Sequence, residues 1–165
     1  MDLVQSQGVT KLFEVQSHLY KHIFSYIDSM SVNCAIQLGI PDIIHNHGRP
    51  VTLSQLVSKL HIHPKKASYV QRLMRLLVQS GFFAKTKVHQ NQEDEAAAEE
   101  EAYALTPSSS LVLKDNVTSL SPFALAMLDP VMVSPWHFLG DWLLGSRDDQ
   151  LTPFEKAHGI GNLSK

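Results

Sequence analysis

The stretch from Thr52 to Phe83, TLSQLVSKLHIHPKKASYVQRLMRLLVQSGFF, decides the fold that this chain is predicted to adopt. Thr52 and Gln55 fit a capping box, in which two side chains satisfy free backbone N–H groups at the start of a helix. Pro64 suits the first position of a second helix, and Gly81 suits the left-handed position that ends it. Apolar residues recur at helical spacing in both segments: Leu53, Leu56, Val57 and Leu60, then Ala67, Val70, Leu73, Met74 and Leu77.

An extended run follows the second helix, beginning at Phe82. Tyr103–Thr106 is predicted to pair with this run as a two-stranded wing. The intervening segment, Thr86–Ala102, is polar and acidic, and we expect it to be a solvated loop without a catalytic role. The order helix, turn, longer helix and wing predicts a mainly α, winged-helix-like domain. We assign this domain to residues 1–145, and residues 146–165 to the start of a linker.

The first helical segment, Leu12–Met30, carries apolar residues at every third or fourth position. Aromatic side chains lie on its neighbouring faces, so its apolar surface is wider than the single stripe of an ordinary surface helix. A second apolar helical segment, Val32–Leu38, follows directly. We predict that a partner chain covers the first helix, with Leu19, Ile23 and Ile27 at the dimer interface. The alternative is an ordinary core helix.

Prolines and caps predict the remaining elements. His45–Pro50 is expected to form a loop. Pro122 opens a helix that breaks at Asp129, and a further helix is expected over about Val131–Leu144. Thr152 begins a last, well-capped helix. Because little sequence follows that start, the pattern suggests a truncated chain.

Composition narrows the class of protein. The 165 residues are 44% hydrophobic and 18% charged, which is typical of a globular domain with a core. The net charge of −2 provides no overall electrostatic attraction to nucleic acid. No run has the pattern of a signal peptide or the length of a membrane span. The single Cys34 cannot form an internal disulfide, so we expect a buried thiol and a reducing, cytoplasmic setting.

The residues alone give little support for a metal site, a DNA-binding site or a catalytic site. The pairs His45/His47 and His61/His63 lack an evident third zinc ligand, and no metal site is expected. Four basic residues lie on the second helix: Lys65, Lys66, Arg72 and Arg75. They leave open a winged-helix DNA-binding regulator, although the acidic wing and the net charge oppose it. With no nucleophile–His–acid set and no glycine-rich loop after a strand, we predict no catalytic and no cofactor-binding residue.

Several longer runs, taken together, resemble one family. They are LYKHIFSYIDSMSVNCAIQLGIPDIIHNHGRPVTL at 19–53, RLMRLLVQSGFF at 72–83, YALTPSS at 103–109, ALAMLDPVMVSPWHFL at 124–139 and TPFEKAHG at 152–159. They resemble the plant S-adenosylmethionine-dependent phenolic O-methyltransferases, and among these the resveratrol and isoflavone O-methyltransferases. The resemblance implies that the chain is the N-terminal dimerisation region of such an enzyme.

In that family a Rossmann-like catalytic domain follows, which binds the methyl donor and holds a catalytic histidine. The resemblance therefore implies S-adenosylmethionine as the cofactor of the full-length enzyme and none for this chain alone, since no histidine here matches the catalytic one. The tentative substrate-binding residues that it implies come from the end of the first helix and from the segment after the wing: Tyr26, Met30, Ala126, Met127 and Trp136.

The implied partners are a second copy of the chain or a full-length relative, with a phenolic small molecule bound by the complete enzyme. Neither nucleic acid nor a membrane is expected as a partner. Three hypotheses remain open at this stage. They are a dimerisation and partial acceptor-pocket region of a phenolic O-methyltransferase, a winged-helix DNA-binding regulator, and a non-catalytic isoform that caps full-length subunits.

Overall fold

The computed structural model describes residues 2–89, 99–145 and 151–160 and shows a mainly helical chain with a small antiparallel sheet. Within these ranges the α-helices are α1 Asp2–Gln37, α2 Ile40–His47, α3 Leu53–Lys59, α4 Ala67–Gln79, α5 Pro107–Ser110, α6 Ser121–Met127, α7 Pro130–Val133, α8 Leu139–Leu144 and α9 Pro153–His158. The strands are β1 Val51–Thr52, β2 Phe83–His89 and β3 Glu99–Leu105. Two 3₁₀ turns span Pro64–Lys66 and Ser134–Phe138.

The predicted start of α3 and the predicted end of α4 rest on local caps that the structure confirms. The Thr52 backbone N–H donates to Gln55 Oε1 at 3.0 Å, and the Gln55 N–H donates to Thr52 Oγ1 at 3.4 Å. At the end of α4, Gly81 adopts a φ of 77°, which a residue with a Cβ rarely tolerates. The N–H groups of Gly81 and Phe82 then donate to the Val78 and Leu77 carbonyls, which is a Schellman motif.

The start of α4 differs from its prediction. Pro64 does not occupy the first position of the α-helix but begins the 3₁₀ turn Pro64–Lys66, and α4 starts at Ala67. Proline lacks an N–H and has a fixed φ, properties that a 3₁₀ turn accommodates as well as the first turn of an α-helix does. Sequence cues alone therefore do not distinguish the two.

Over the described residues the sheet has three strands rather than the predicted two, in the order β1–β3–β2. The predicted pairing of the wing is confirmed, with Phe83 opposite Leu105 and Lys85 opposite Tyr103. The missed strand, β1, pairs antiparallel with β3 and places Val51 opposite Tyr103. Two residues are too few for an alternating pattern, so only pairing with a distant segment reveals this strand.

The wing strands also run further than expected. The segment 86–102 was predicted to be a solvated loop, but β2 continues to His89 and β3 begins at Glu99. Lys85 and Lys87 form ion pairs across the strands with Glu101 and Glu99, respectively. Cross-strand pairs of opposite charge favour the register that brings them together. Residues 90–98 lie outside the described ranges.

The first helix is continuous, contrary to the two predicted segments. α1 runs through 36 residues, about 54 Å at 1.5 Å per residue. No proline or glycine interrupts it between Lys11 and Gln37, so nothing in the backbone requires a break. The apolar pattern changes near Ser31 because the helix passes there from an exposed stretch into the core, where Ser31, Ala35 and Ile36 are buried.

Two further predicted boundaries are wrong. His45–His47 belongs to α2 rather than to a loop, and the left-handed Gly48 ends that helix. The predicted helix over Val131–Leu144 is three shorter pieces, namely α7, the 3₁₀ turn Ser134–Phe138 and α8. Pro135 lies inside that turn, and its missing N–H prevents an uninterrupted α-helix.

The core lies between the end of α1, helices α2 to α4 and the sheet. Its central side chains are Ile40, Leu56, Met74, Leu77 and Phe83, each almost fully buried. The packing joins the helix pair α3–α4 to the base of the wing. This compact part supports the two features that matter for function, the projecting half of α1 and the helices that follow the wing.

Candidate dimer face and acceptor surface

In α1, the side chains of residues 11–26 are all exposed. Of the three predicted interface residues, Leu19 is 55% exposed and Ile23 is 49% exposed, while Ile27 is half-buried. Further large apolar side chains on α1 are also exposed: Leu12, Phe13, Val15, Tyr20, Phe24, Tyr26 and Met30. We call all ten residues the α1 apolar surface. Monomeric soluble proteins rarely expose so large a contiguous apolar area.

Local contacts order part of this surface before any partner binds. The rings of Tyr20 and Phe24 lie one helical turn apart, with centroids 5.7 Å from each other. Gln16 Nε2 donates to the Tyr20 hydroxyl at 2.9 Å. Because these contacts restrict rotamers in the single chain, less side-chain entropy is lost when a partner covers the surface.

The five predicted substrate-binding residues lie on three elements. Tyr26 and Met30 are on α1, Ala126 and Met127 are on α6, and Trp136 is in the 3₁₀ turn Ser134–Phe138. All five are exposed in the single chain, with Trp136 at 72%. α6 contacts α1, and the turn that carries Trp136 packs against α7, α8 and α9.

A groove of about 430 Å³ lies where the end of α1 meets the segments around it. The groove is lined by residues from four segments: Asp28 and Ser29 of α1, Phe82 at the start of the wing, Ser108 of α5 and Leu128 after α6. Sequence reasoning missed Asp28 and Ser29. The available signal was the placement of Asp28 and Ser29 between the two substrate-binding candidates Tyr26 and Met30.

The helices after the wing carry a second exposed apolar area. Its large exposed side chains are Phe123, Met127, Val131, Met132, Val133, Trp136, Trp142, Leu143 and Leu144. A hydrogen bond between residues distant in sequence joins α9 to α7 in this area. His158 Nε2 lies 2.9 Å from the Val131 carbonyl oxygen and therefore donates to it. The Phe154 ring packs against the His158 ring within α9, with centroids 4.4 Å apart and the ring planes tilted by 58°.

The cysteine and the paired histidines have environments that differ from their predictions in detail. Cys34 is half-buried rather than fully buried, and desolvation raises the pKa of its thiol. Lys59 Nζ donates to His47 Nδ1 at 3.0 Å. Desolvation, followed by the charges of Lys59 and Arg49, lowers the pKa of His47. Over the described ranges, no group of three or more His, Cys, Asp or Glu side chains is arranged to hold a metal ion.

The four basic residues considered for DNA binding lie on the 3₁₀ turn before α4 and on α4 itself. The Arg72 guanidinium lies over the Tyr69 ring, 5.8 Å from its centroid. Arg75 lines a groove between α4 and the wing together with Lys85, Glu101 and Tyr103. Burial, followed by the charge of Glu101, raises the pKa of Tyr103.

Residues 20–115 match the family described as the O-methyltransferase dimerisation domain. This range includes α1 from Tyr20 onward, the whole α2–α4 core and both wing strands. The chain belongs to that family. The predicted resemblance to O-methyltransferases is thereby confirmed, and the family's description names dimerisation as the role of this domain.

Among curated proteins, the chain is 50% identical to trans-resveratrol di-O-methyltransferase of Vitis vinifera, over 96% of this chain and 42% of that protein. It is 52% identical to 8-hydroxyquercetin 8-O-methyltransferase of Mentha piperita, over 91% and 40% of the respective chains. It is 42% identical to isoflavone 4'-O-methyltransferase of Lotus japonicus, over 96% and 43%. The chain thus spans about two fifths of the length of these relatives.

Solved structures share the fold at low sequence identity. Human N-acetylserotonin methyltransferase in complex with S-adenosylmethionine aligns with a TM-score of 0.63 and 15% identity, over 88% of this chain and 42% of that one. A calicheamicin-biosynthesis methyltransferase with S-adenosylhomocysteine bound aligns with a TM-score of 0.58 and 19% identity, over 87% and 35%. The mainly helical fold with its small sheet is therefore one that methyltransferases use.

Among the helices that the structure describes, none combines the length and the apolarity needed to cross a bilayer.

Proposed function

We propose that this chain is the dimerisation and partial acceptor-pocket region of an O-methyltransferase that transfers a methyl group from S-adenosylmethionine to a phenolic hydroxyl of a stilbene or isoflavonoid. The observation that carries the proposal is the 50% identity to a resveratrol methyltransferase over 96% of the chain. Relatives that act on a flavonol and on an isoflavone support the same class of flat phenolic acceptor.

The dimerisation part of the proposal rests on the α1 apolar surface. Its members cover about half of the circumference along a long part of the helix, and in the single chain they remain largely exposed. A second copy that brings an equivalent helix alongside removes this area from water on both subunits at once. Leu19, Ile23 and Ile27 are the proposed centre of the interface.

The acceptor-pocket part rests on the chemistry of the five exposed residues. Methyl transfer requires a dry slot that aligns a flat aromatic acceptor with the donor methyl group. Tyr26, Met30, Met127 and Trp136 offer broad apolar surfaces for such a slot, and methionine adapts its shape to the outline of the acceptor. Ala126 leaves room where a larger side chain would fill the slot.

The donor itself supplies an electrophilic methyl group. Holding it calls for a glycine-rich turn between a strand and a helix, and the described residues contain no such turn, because the left-handed glycines here end or flank helices. We propose that donor binding and the catalytic base belong to the part of the relatives that this chain does not match. Residues 1–145 then form a winged-helix-like dimerisation domain and residues 146–165 lead from it.

The proposed partner is a second copy of the chain, or a full-length relative in a mixed dimer. Membership of a dimerisation family favours this reading over a DNA-binding regulator, so we propose neither a nucleic-acid nor a membrane partner. A cytoplasmic setting is proposed from the single cysteine, which cannot form an internal disulfide.

A chimeric enzyme tests the proposal. The 158-residue region of the Vitis vinifera enzyme that aligns with this chain is replaced by this chain's own residues, and methyl transfer to resveratrol and to a flavonol is measured. We expect a dimeric, active chimera. Because methyl transfer cannot be measured on an insoluble chimera, the aligned region is also exchanged in two halves, before and after the wing. A folded, dimeric chimera without activity toward any phenol contradicts the proposal.

Variants of the active chimera then separate the acceptor surface from the interface. Trp136→Ala and Met127→Ala are expected to raise KM for the phenol or to change which phenol is preferred, and to leave the donor KM unchanged. Tyr69→Ala is the matched control, because Tyr69 is an exposed aromatic residue on α4 that belongs to neither apolar surface. Equal effects of the three changes contradict the assignment of the acceptor surface.

A further inference from the structure

One side of α1 is polar, and it lies between the apolar residues of that helix. At 100° per residue, six side chains fall within about 80° of arc on this side: Lys11, Glu14, His18, His22, Ser25 and Ser29. All six are exposed. We call them the α1 polar stripe. Leu19, Ile23 and Ile27 are each rotated by roughly 100° or more from His18, so a partner that covers them leaves the stripe at the margin of the interface.

Two histidines occupy the centre of the stripe at a spacing suited to chelation. His18 and His22 are four residues apart on an uninterrupted helix, a rise of about 6 Å, and their ring centroids are 4.7 Å apart with the planes at 77°. The two rings pack edge to face here, and rotation about the side-chain torsions allows helical histidines at this spacing to place a nitrogen of each ring on one metal ion. Imidazole nitrogen suits Zn²⁺, Ni²⁺ and Cu²⁺, whereas Mg²⁺ and Ca²⁺ prefer oxygen ligands.

Neither ring of this pair has a hydrogen-bond partner among the described residues, whereas one ring nitrogen in each of the other two pairs has one. These are His47 Nδ1, which accepts from Lys59, and His63 Nδ1, which accepts from the Lys65 N–H. The Ser25 hydroxyl donates to the His22 carbonyl oxygen at 3.0 Å, so it does not occupy the ring.

We propose that His18 and His22 form a binding site for one borderline divalent transition-metal ion, held by two imidazole nitrogens with water in the remaining positions. The exposed carboxylate of Glu14, one turn before His18, adds favourable charge on the same side of the helix. The site is distinct from the acceptor surface and does not depend on the proposed methyl transfer. A metal bound there clamps two turns of the part of α1 that projects from the core.

Titration calorimetry of the tag-free 165-residue chain with ZnCl₂ and NiCl₂ tests the site. We expect one ion per chain, with affinity for Cu²⁺ above that for Ni²⁺ and Zn²⁺ in a parallel competition series. The double variant His18→Gln/His22→Gln should lose this binding, and either single variant should weaken it by about tenfold or more. His61→Gln/His63→Gln is the matched control, since it also removes two exposed histidines, and its binding should equal that of the wild type.

A relocation variant tests the spacing rather than the number of histidines. His22→Gln/Ser25→His keeps two histidines on the same side of α1 but separates them by seven residues, about 10 Å, which is too far for one ion to bridge. It should bind no better than His22→Gln. The proposal is overturned if the wild type takes up no ion, if His18→Gln/His22→Gln binds like the wild type, or if the relocation variant does. Helical circular dichroism confirms that each variant is folded.

Discussion

Replacing Ile23 by aspartate tests the interface most directly, because this residue lies at the centre of the α1 apolar surface. In the single chain Ile23 is 49% exposed, so about half of its side chain remains to be buried by a partner. Full burial of an isoleucine contributes about 1.5–3 kcal/mol, which leaves about 1 kcal/mol for the interface. A carboxylate placed there without a partner costs several kcal/mol more.

Two-fold symmetry doubles this loss, because the same patch is present on both subunits of an isologous dimer. The total is therefore about 6 kcal/mol or more, or a weakening of the dimer by about four powers of ten at 1.4 kcal/mol per decade. The fold of the single chain should change little, since an exposed aspartate on a helix surface is well hydrated.

Sedimentation velocity over about three decades of concentration measures the effect on a dimer of ordinary affinity. The wild type should sediment as a dimer at micromolar concentration and Ile23→Asp as a monomer with an unchanged helical spectrum. Val117→Asp is the matched control, because Val117 is a fully exposed aliphatic residue outside α1. A wild type that is monomeric at micromolar concentration refutes the reasoning, and so does an Ile23→Asp variant that dimerises as the wild type does.

Three further predictions concern stability and donor binding. Thr106→Val should lower the free energy of unfolding by about 2–3 kcal/mol in urea titrations. The reason is that the Thr106 hydroxyl both caps α5 and donates to the Phe82 carbonyl oxygen at 2.7 Å. The control Thr118→Val, at an exposed threonine, should change the free energy of unfolding by less than about 0.5 kcal/mol. Deleting residues 92–98 should change stability by less than about 1 kcal/mol, whereas deleting 92–101 also removes three β3 residues paired with β2 and should cost more; equal effects of the two deletions contradict the wing register. Titration calorimetry of the 165-residue chain with S-adenosylmethionine should show no heat above dilution, and micromolar binding contradicts the assignment of donor binding to another part of the enzyme.

Much of the local structure was predictable because it depends on neighbouring residues. The capping box at Thr52 and the left-handed Gly81 are read from a few adjacent positions, and the structure forms both. The exposed apolar side chains of α1 were likewise predictable, since helical periodicity shows that Leu19, Ile23 and Ile27 share a face wider than one core requires. The resemblance to the O-methyltransferase family was likewise recognised from the sequence, in longer runs such as residues 19–53 and 124–139.

Only the tertiary structure decided the features that join distant segments. β1 is too short to be recognised locally, and it exists because Val51 pairs with Tyr103, far away in the sequence. The groove between Asp28, Phe82, Ser108 and Leu128 likewise assembles side chains from segments that no local pattern relates. Local propensity is determined by adjacent residues, whereas pairing and burial depend on which segments the fold brings together.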